Sequence, residues 1–312
     1  MTIIANTFLT YAQIGQREDL SDVIDMISPT DTPVQSALRK SKASGRYVEW
    51  QTDALASAAN NAQLEGDDST FTAVTPTVRW GNYCQIGSKS FLISETAETV
   101  DKAGRNSEVA YQTMNKLKEL KRDKEFALMQ NSTFNAGNAT TARQTRGFKG
   151  WITQGSVGAG AGAFPIPSSN TAPVAGTARA LTEALVLAAM QTAFTAGGAP
   201  SLLSVRPADK VVVSGFSANN TVLRREDSDS NKLHQSFDFY VTDFGTLKVV
   251  PNRFQDNAAY LIDTNHASLR QLRPASRQAL AKTGDAQKVL VVEEWAFQCD
   301  NKDAHAVIRD LS

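Results

Sequence analysis

Cysteine is almost missing from this chain. Cys84 and Cys299 are the only two in 312 residues, far apart and neither in a CxxC pair. That excludes a disulfide framework and suits a reducing compartment. No run of about eighteen apolar residues occurs, so no membrane-spanning helix is expected. An excess of one charge is lacking too: 32 basic and 32 acidic residues cancel. A protein built to grip nucleic acid normally carries a basic excess or stripe, and none stands out. The opening MTIIANTFLT has neither the basic region nor the long apolar core of a secretory signal. The expectation is a soluble cytosolic product. What is present is ordinary for a globular chain, with 41% hydrophobic and 21% charged residues. The length exceeds the usual single core, which predicts two packed units with appendages.

The segment REDLSDVIDMISPTDTPVQSAL reads as two short helices around a proline corner. Leu20, Val23, Ile24 and Ile27 form one apolar stripe. Thr32, Pro33 and Gln35 spell a second helix start, with Val34 and Leu38 on its apolar face. GRYVEWQTD then alternates as a strand, and PTVRWGNYCQIGSKSFLIS reads as its return strand, with Val78, Trp80, Cys84 and Ile86 in phase. The connection between them is small, polar and acidic, and long enough to suggest a function of its own. A two-stranded hairpin is not stable alone, so it must lean on something, another chain included.

Residues 106–131 hold the clearest helix, free of Gly and Pro. Ala110, Met114, Leu117 and Leu120 mark one side, and Lys121 stands at i, i+4 to Glu125. A Gly/Ala/Pro-rich loop at 150–176 precedes an α/β pattern. LTEALVLAAMQTAF reads as an apolar helix, DKVVVSGFS as a buried strand, and FDFYVTDFGTLKVVPNR as a hairpin turning near Gly245. AAYLIDTNHASLRQLRP supplies another strand. QKVLVVEEWAFQCDNKDAHAVIRDLS ends the chain as a long strand, a turn at Asp300 to Asp303, and a last strand.

Reactive chemistry finds little footing. His234, His266 and His305 lie in three segments without metal-ligand spacing, so no metal or other cofactor is expected. GAGAGA at 158–163 fits a loose dinucleotide pattern, but Pro165 and Pro167 forbid the helix that must follow. VVVSGFSANN resembles a nucleophile elbow around Ser217, although Asn219 replaces the second glycine. Asp263 with His266, or Asp303 with His305, would have to complete a triad, and the plain alternative is Ser217 as a helix cap. Glu293 and Glu294 point to opposite strand faces, so they form no carboxylate pair, and one is free to face a neighbouring chain.

The order of parts, and the phrases REDLSDVIDMISPTDTP, EWQTDAL, NAQLEGDD, GNYCQIGSKSFLISETAETVDKAGRNSEVAYQ and KELKRDKEFALMQN, resemble tailed-phage major capsid (major head) proteins. These phrases lie in roughly the first 130 residues; the later half is similar in layout. The resemblance implies an α+β, Hong Kong 97-like capsid fold and no enzymatic activity. Residues 1–42 would be an N-terminal arm and 43–92 an extended β-hairpin loop. Residues 93–180 would be a peripheral domain with its spine helix at 106–131. Residues 181–286 would form an axial domain, and 287–312 would be C-terminal strands returning to the peripheral domain.

What the resemblance implies about function is an icosahedral-type shell of hexamers and pentamers around double-stranded DNA, held without sequence-specific binding. Scaffold, portal and decoration proteins are the further partners it implies, with assembly in the host bacterial cytoplasm and no membrane. Inter-subunit contacts would fall to Leu20, Val23, Ile24 and Ile27 of the arm. In the hairpin they would fall to Trp50, Leu64, Glu65, Asp67, Asp68 and Trp80. The prototype of the fold cross-links its shell through a lysine of the extended loop, yet no lysine lies between Lys42 and Lys89. No such bond is expected. The roughly forty residues of arm leave no room for a fused scaffold, so a separate one is expected. The alternatives are a serine hydrolase using Ser217 and an encapsulin-like nanocompartment shell.

Overall fold

The structure is a computed structural model that describes residues 28–66, 68, 71, 73–101, 104–216 and 239–312. The arm stripe Leu20 to Ile27, together with Asp67, Ser217 and His234, lies outside the described residues. The described chain starts with α1 (Pro33–Ala37) and β1 (Arg39–Lys42), then the hairpin strands β2 (Tyr47–Thr52) and β3 (Val78–Tyr83). Next come β4 (Gln85–Ser94), α2 (Glu95–Thr99), the long α3 (Glu108–Gln130), α4 (Phe148–Trp151) and β5 (Gly155–Ser156). The second half holds α5 (Glu183–Thr195), β6 (Leu202–Val205), α6 (Pro207–Ser214), β7 (Phe239–Thr242) and β8 (Gly245–Pro251). It closes with β9 (Ala258–Ile262), β10 (Ala267–Leu280), β11 (Ala286–Cys299) and β12 (Ala306–Arg309).

Two main sheets organise these elements, in the orders β1-β10-β11-β4 and β5-β12-β9-β6-β8-β7, while β2 and β3 pair alone. The fold is α+β. Hydrogen bonding does not follow the expected boundary at 286/287. β10 pairs with β11 across it, and β12 returns to β9 in the six-stranded sheet.

α5 covers that second sheet because Val186, Ala189, Met190 and Ala193 recur at i, i+3, i+4 and i+7 and meet Leu203, Leu247, Leu261 and Ile308. α3 lies on the first sheet, with Leu120 against Ile93, Val289 and Val291. The side expected to hold Ala110 and Met114 is not its buried side: both are exposed, and Val109 faces inward instead.

Three further readings are corrected. DKVVVSGFS is no strand, since α6 occupies its first part. Pro207 sits at the first helical turn and the Arg206 fork grips Asp209, at 2.7 and 3.0 Å, which fixes a helix start. The β-branched run then leaves Val211 and Val212 exposed and buries only Val213. The expected single return strand is two, broken at Cys84, whose amide bonds Arg46 O at 2.8 Å. Upstream it belongs to the hairpin; downstream it joins β11, and Ile86 is exposed rather than in phase with Cys84. The third is the expected strand at 258–274, which is β9 and β10, separated by a short turn at Thr264–His266.

α3 also carries two buried charges side by side. Lys124 Nζ meets Glu293 at 2.5 Å and lies over the Trp295 ring. Glu294 takes Arg143 and Arg273 at 2.6 and 2.9 Å, so both strand carboxylates are spent inside the chain and neither waits for a neighbour. Glu125, fully buried, accepts hydrogen bonds from Val34 N (3.0 Å), Gln35 N (2.7 Å) and Asn252 Nδ2 (2.7 Å). It caps α1, whose own Thr32 side chain makes no cap bond. The Lys121–Glu125 pair suggested by spacing therefore does not form.

Burial pushes the Glu125 carboxyl above its usual range, although its three donors pull it down. Replacing Glu125→Gln turns one acceptor into a donor facing an amide. The expected loss is about 2–3 kcal/mol in urea unfolding, with faster amide exchange at Val34 and Gln35. Unchanged stability would mean that the carboxyl carries a proton and the cap is not ionic.

Candidate inter-subunit surface

The hairpin is rooted firmly in its own chain. Trp50 and Trp80 stand directly opposite in β2 and β3, and both rings pack on Trp151, at 5.2 and 5.9 Å between centroids. Trp80 Nε1 donates to Thr52 Oγ1 at 3.0 Å. Below them, buried Asn82 donates to Arg146 O (2.9 Å) and Phe297 O (2.7 Å) and accepts from Arg146 N at 2.9 Å. The Arg146 guanidinium lies between the faces of Phe134 and Trp151, 4.8 and 4.6 Å from their centroids. It donates to Pro167 O and Asn170 Oδ1.

Beyond Thr52 the chain leaves that anchor. Leu55, Leu64, Phe71 and Val74 are 99%, 81%, 97% and 92% exposed, so none of these four side chains is packed on its own subunit. Four large apolar side chains exposed along one loop are candidates for an interaction surface. From Tyr47 to Val78 the sequence holds five acids (Glu49, Asp53, Glu65, Asp67, Asp68) and no lysine or arginine. The expected contact residues thus separate. Leu64, Glu65 and Asp68 project into solvent, whereas Trp50 and Trp80 are used largely within the subunit. Leu55, Phe71 and Val74 were not singled out by sequence. The signal was available, as large apolar residues isolated in a small, polar stretch.

The chemistry leads lead back to structure. No cluster of metal-binding side chains occurs among the described residues, and no described helix is long and apolar enough to cross a membrane. His266 Nδ1 does meet Asp263 Oδ2 at 2.8 Å, but Asp263 also takes the amides of Asn265 and Ala199 and so holds a turn. Burial raises the Asp263 carboxyl, yet those bonds outweigh it and keep it below its usual range. The strand that a nucleophile elbow needs before Ser217 is the helix α6. Asp303 is held by Lys302 and Thr153. His305 is fully buried against Phe148, its Nδ1 accepting from Asp263 N at 3.0 Å.

Burial depresses the His305 pKa to about 4, outweighing Asp263 and Asp303 nearby. The unfolded chain takes up a proton below about pH 6.5, while the folded one does not until about pH 4. This group therefore contributes full stability above about pH 6.5, and loses it as pH falls toward 4. The loss expected from urea unfolding is about 3 kcal/mol across that window. His305→Gln keeps an acceptor for Asp263 N and should flatten this limb; an unaltered acid limb would place the titration elsewhere.

The SU10 major capsid protein model matches residues 3–312. The major capsid protein of Escherichia phage Phieco32 is 27% identical over 337 residues, covering 96% of each chain. Among solved structures, the cyanophage A-1(L) capsid asymmetric unit superposes with a TM-score of 0.65 at 14% identity, covering 97% of this chain and 98% of that one. Gordonia phage Cozz gives 0.62 at 11% identity, with 99% and 97% covered. The phage G structure of major capsid and decoration proteins gives 0.58 at 11% identity, with both chains fully covered.

Proposed function

The chain belongs to the SU10 major capsid protein family, and from that premise we propose that its hairpin loop is an arm laid on a neighbouring subunit. It is a major capsid protein, a head-shell subunit of a tailed phage with the Hong Kong 97-type fold. The family is structural and not enzymatic. Neither the serine-hydrolase nor the nanocompartment alternative finds support in these matches. One observation supports the arm reading above the others: a stem locked by Trp151 and Asn82 carries a loop whose apolar residues meet no surface of their own chain.

The finer assignments belong to the same proposal. Residues 1–42 act as a second inter-subunit arm, joined at α1 to the spine helix α3. Leu181 to about Asp285 supplies the contacts around hexamer and pentamer centres. The shell encloses DNA without reading its sequence, and forms in the host cytoplasm with scaffold, portal and decoration proteins as partners. Many modest contacts repeated by symmetry suffice for such a container, and no reactive group is required.

Two outcomes test this. Replacing residues 54–76 by a short Gly-Ser turn should leave a folded subunit that no longer forms rings or shells by light scattering and negative-stain imaging. Particles equal to those of the full chain would remove the loop from assembly. Shells boiled in detergent should run as the 33.7 kDa monomer, because the loop offers no lysine for a covalent bond. A ladder of multimers would contradict that.

A further inference from the structure

We infer that a cavity at the base of the hairpin is a binding site for a phosphate monoester, held by the guanidiniums of Arg46 and Arg143 and the amide of Asn138. The cavity measures about 360 Å³, within the range of small-ligand sites. Ile86, Ala136 and Ala142 supply apolar wall beside the three polar residues, and no acid lines it. Arg46 directly precedes β2 and Ile86 lies at the start of β4. The site is therefore at the stem, and its ligand is independent of where the exposed loop docks.

Charge selects the ligand. Ile86 in β4 and Arg273 in β10 both stand opposite Glu294 of β11, so the three share one face of the sheet. Glu293 turns to the other face and to Lys124 of the spine helix. Both Glu294 oxygens are taken, by Arg143 at 2.6 Å and by Arg273 at 2.9 Å. Arg46 has no side-chain partner among the described residues. Three guanidiniums thus share one carboxylate, which leaves two positive charges around the cavity. A carboxylate ligand would meet one of them. A phosphate monoester carries a charge of about −1.5 to −2 at neutral pH and matches both. The planar fork of arginine suits its oxygens.

The wall of the cavity is also set in advance. Asn135 and Gln144 close the base of its loop with two backbone hydrogen bonds, at 3.0 and 3.1 Å. Asn138 Oδ1 accepts from Thr140 N at 2.9 Å and Thr141 N at 2.7 Å, so the Nδ2 end remains a donor. Gly137 takes φ +71°, and a Cβ there would fall 2.5 Å from Arg143 Cγ, so glycine lets the arginine stem cross the turn. A second cavity, lined by Asp31, Pro207, Pro251 and Arg253, sets one acid against its one arginine and offers an anion no net charge.

Calorimetric titration of the full chain tests the site, with thymidine 5′-phosphate, inorganic phosphate and acetate as probes. The nucleotide should bind once per subunit, and more tightly than inorganic phosphate because the apolar wall meets its organic part. Arg46→Gln breaks no bond inside the subunit and should weaken the nucleotide about tenfold, the share of one charge-assisted hydrogen bond, with urea unfolding unchanged. Ala142→Glu, at an exposed point of the wall, should abolish binding by placing an acid in the cavity. Acetate should compete at least about tenfold less well than the nucleotide. No saturable binding to the unaltered chain, or an affinity that neither variant changes, would overturn the site. Equal affinity for inorganic phosphate would reduce it to an ion site and overturn the ester. Acetate, or a DNA duplex without terminal phosphates, competing as well as the nucleotide would assign the cavity to a neighbour's carboxylate or to packaged DNA instead.

Discussion

Arg146 is a buried cation with no carboxylate beside it among the described residues, and much of the subunit is arranged around that fact. Removing a guanidinium from water is costly unless its donors and charge are otherwise met. Here the cost is offset by a carbonyl, an amide oxygen and two aromatic faces, one of them Trp151. Burial lowers its pKa to about 10, which still leaves it charged at neutral pH. Trp151 is also the platform for Trp50 and Trp80, and both backbone polar groups of Arg146 are taken by Asn82 of the hairpin. The cation, the aromatic platform and the hairpin root are therefore one structural unit. A two-stranded ribbon too small to be stable alone acquires the rigidity of the core.

The spine helix solves a second problem with adjacent charges. Lys124 faces the strand carboxylate Glu293, and Glu125 turns to the start of α1. One helical turn thus ties the sheet beneath it to α1, the first described helix. Neither charge is available for chemistry, which is consistent with a container protein that works by shape. Asp263, His266, Asp303 and His305, which suggested a triad, are likewise taken up by bonds within the subunit.

Periodicity exposed those elements whose burial is continuous, on one face or on both. α5 was legible because its stripe faces a single sheet, and β11 because both its faces are covered. α6 was misread because three valines in a row outweighed a proline and a salt-bridged aspartate just before them. The break at Cys84 gave no local sign, since strand propensity runs through it and only tertiary pairing changes. In the loop, acidity was visible from sequence, but the rooting of Trp50 and Trp80 on Trp151, a hundred residues or about seventy away, was not. Long-range partners such as Glu125 with Val34 leave no signature in spacing either.

That change of sheet at Cys84 makes β3 and β4 one covalent line from the loop to the centre of the subunit. β4 is bonded to β11 along its whole length, from Gln85 opposite Trp295 to Ser94 opposite Ala286. A pull on the loop enters β4 at its first residue and runs along the strand axis. All of the ladder's hydrogen bonds then share the load at once, instead of opening one after another from an end. With the loop as the proposed link between subunits, tension on it is met in shear, the ladder's mechanically strongest direction.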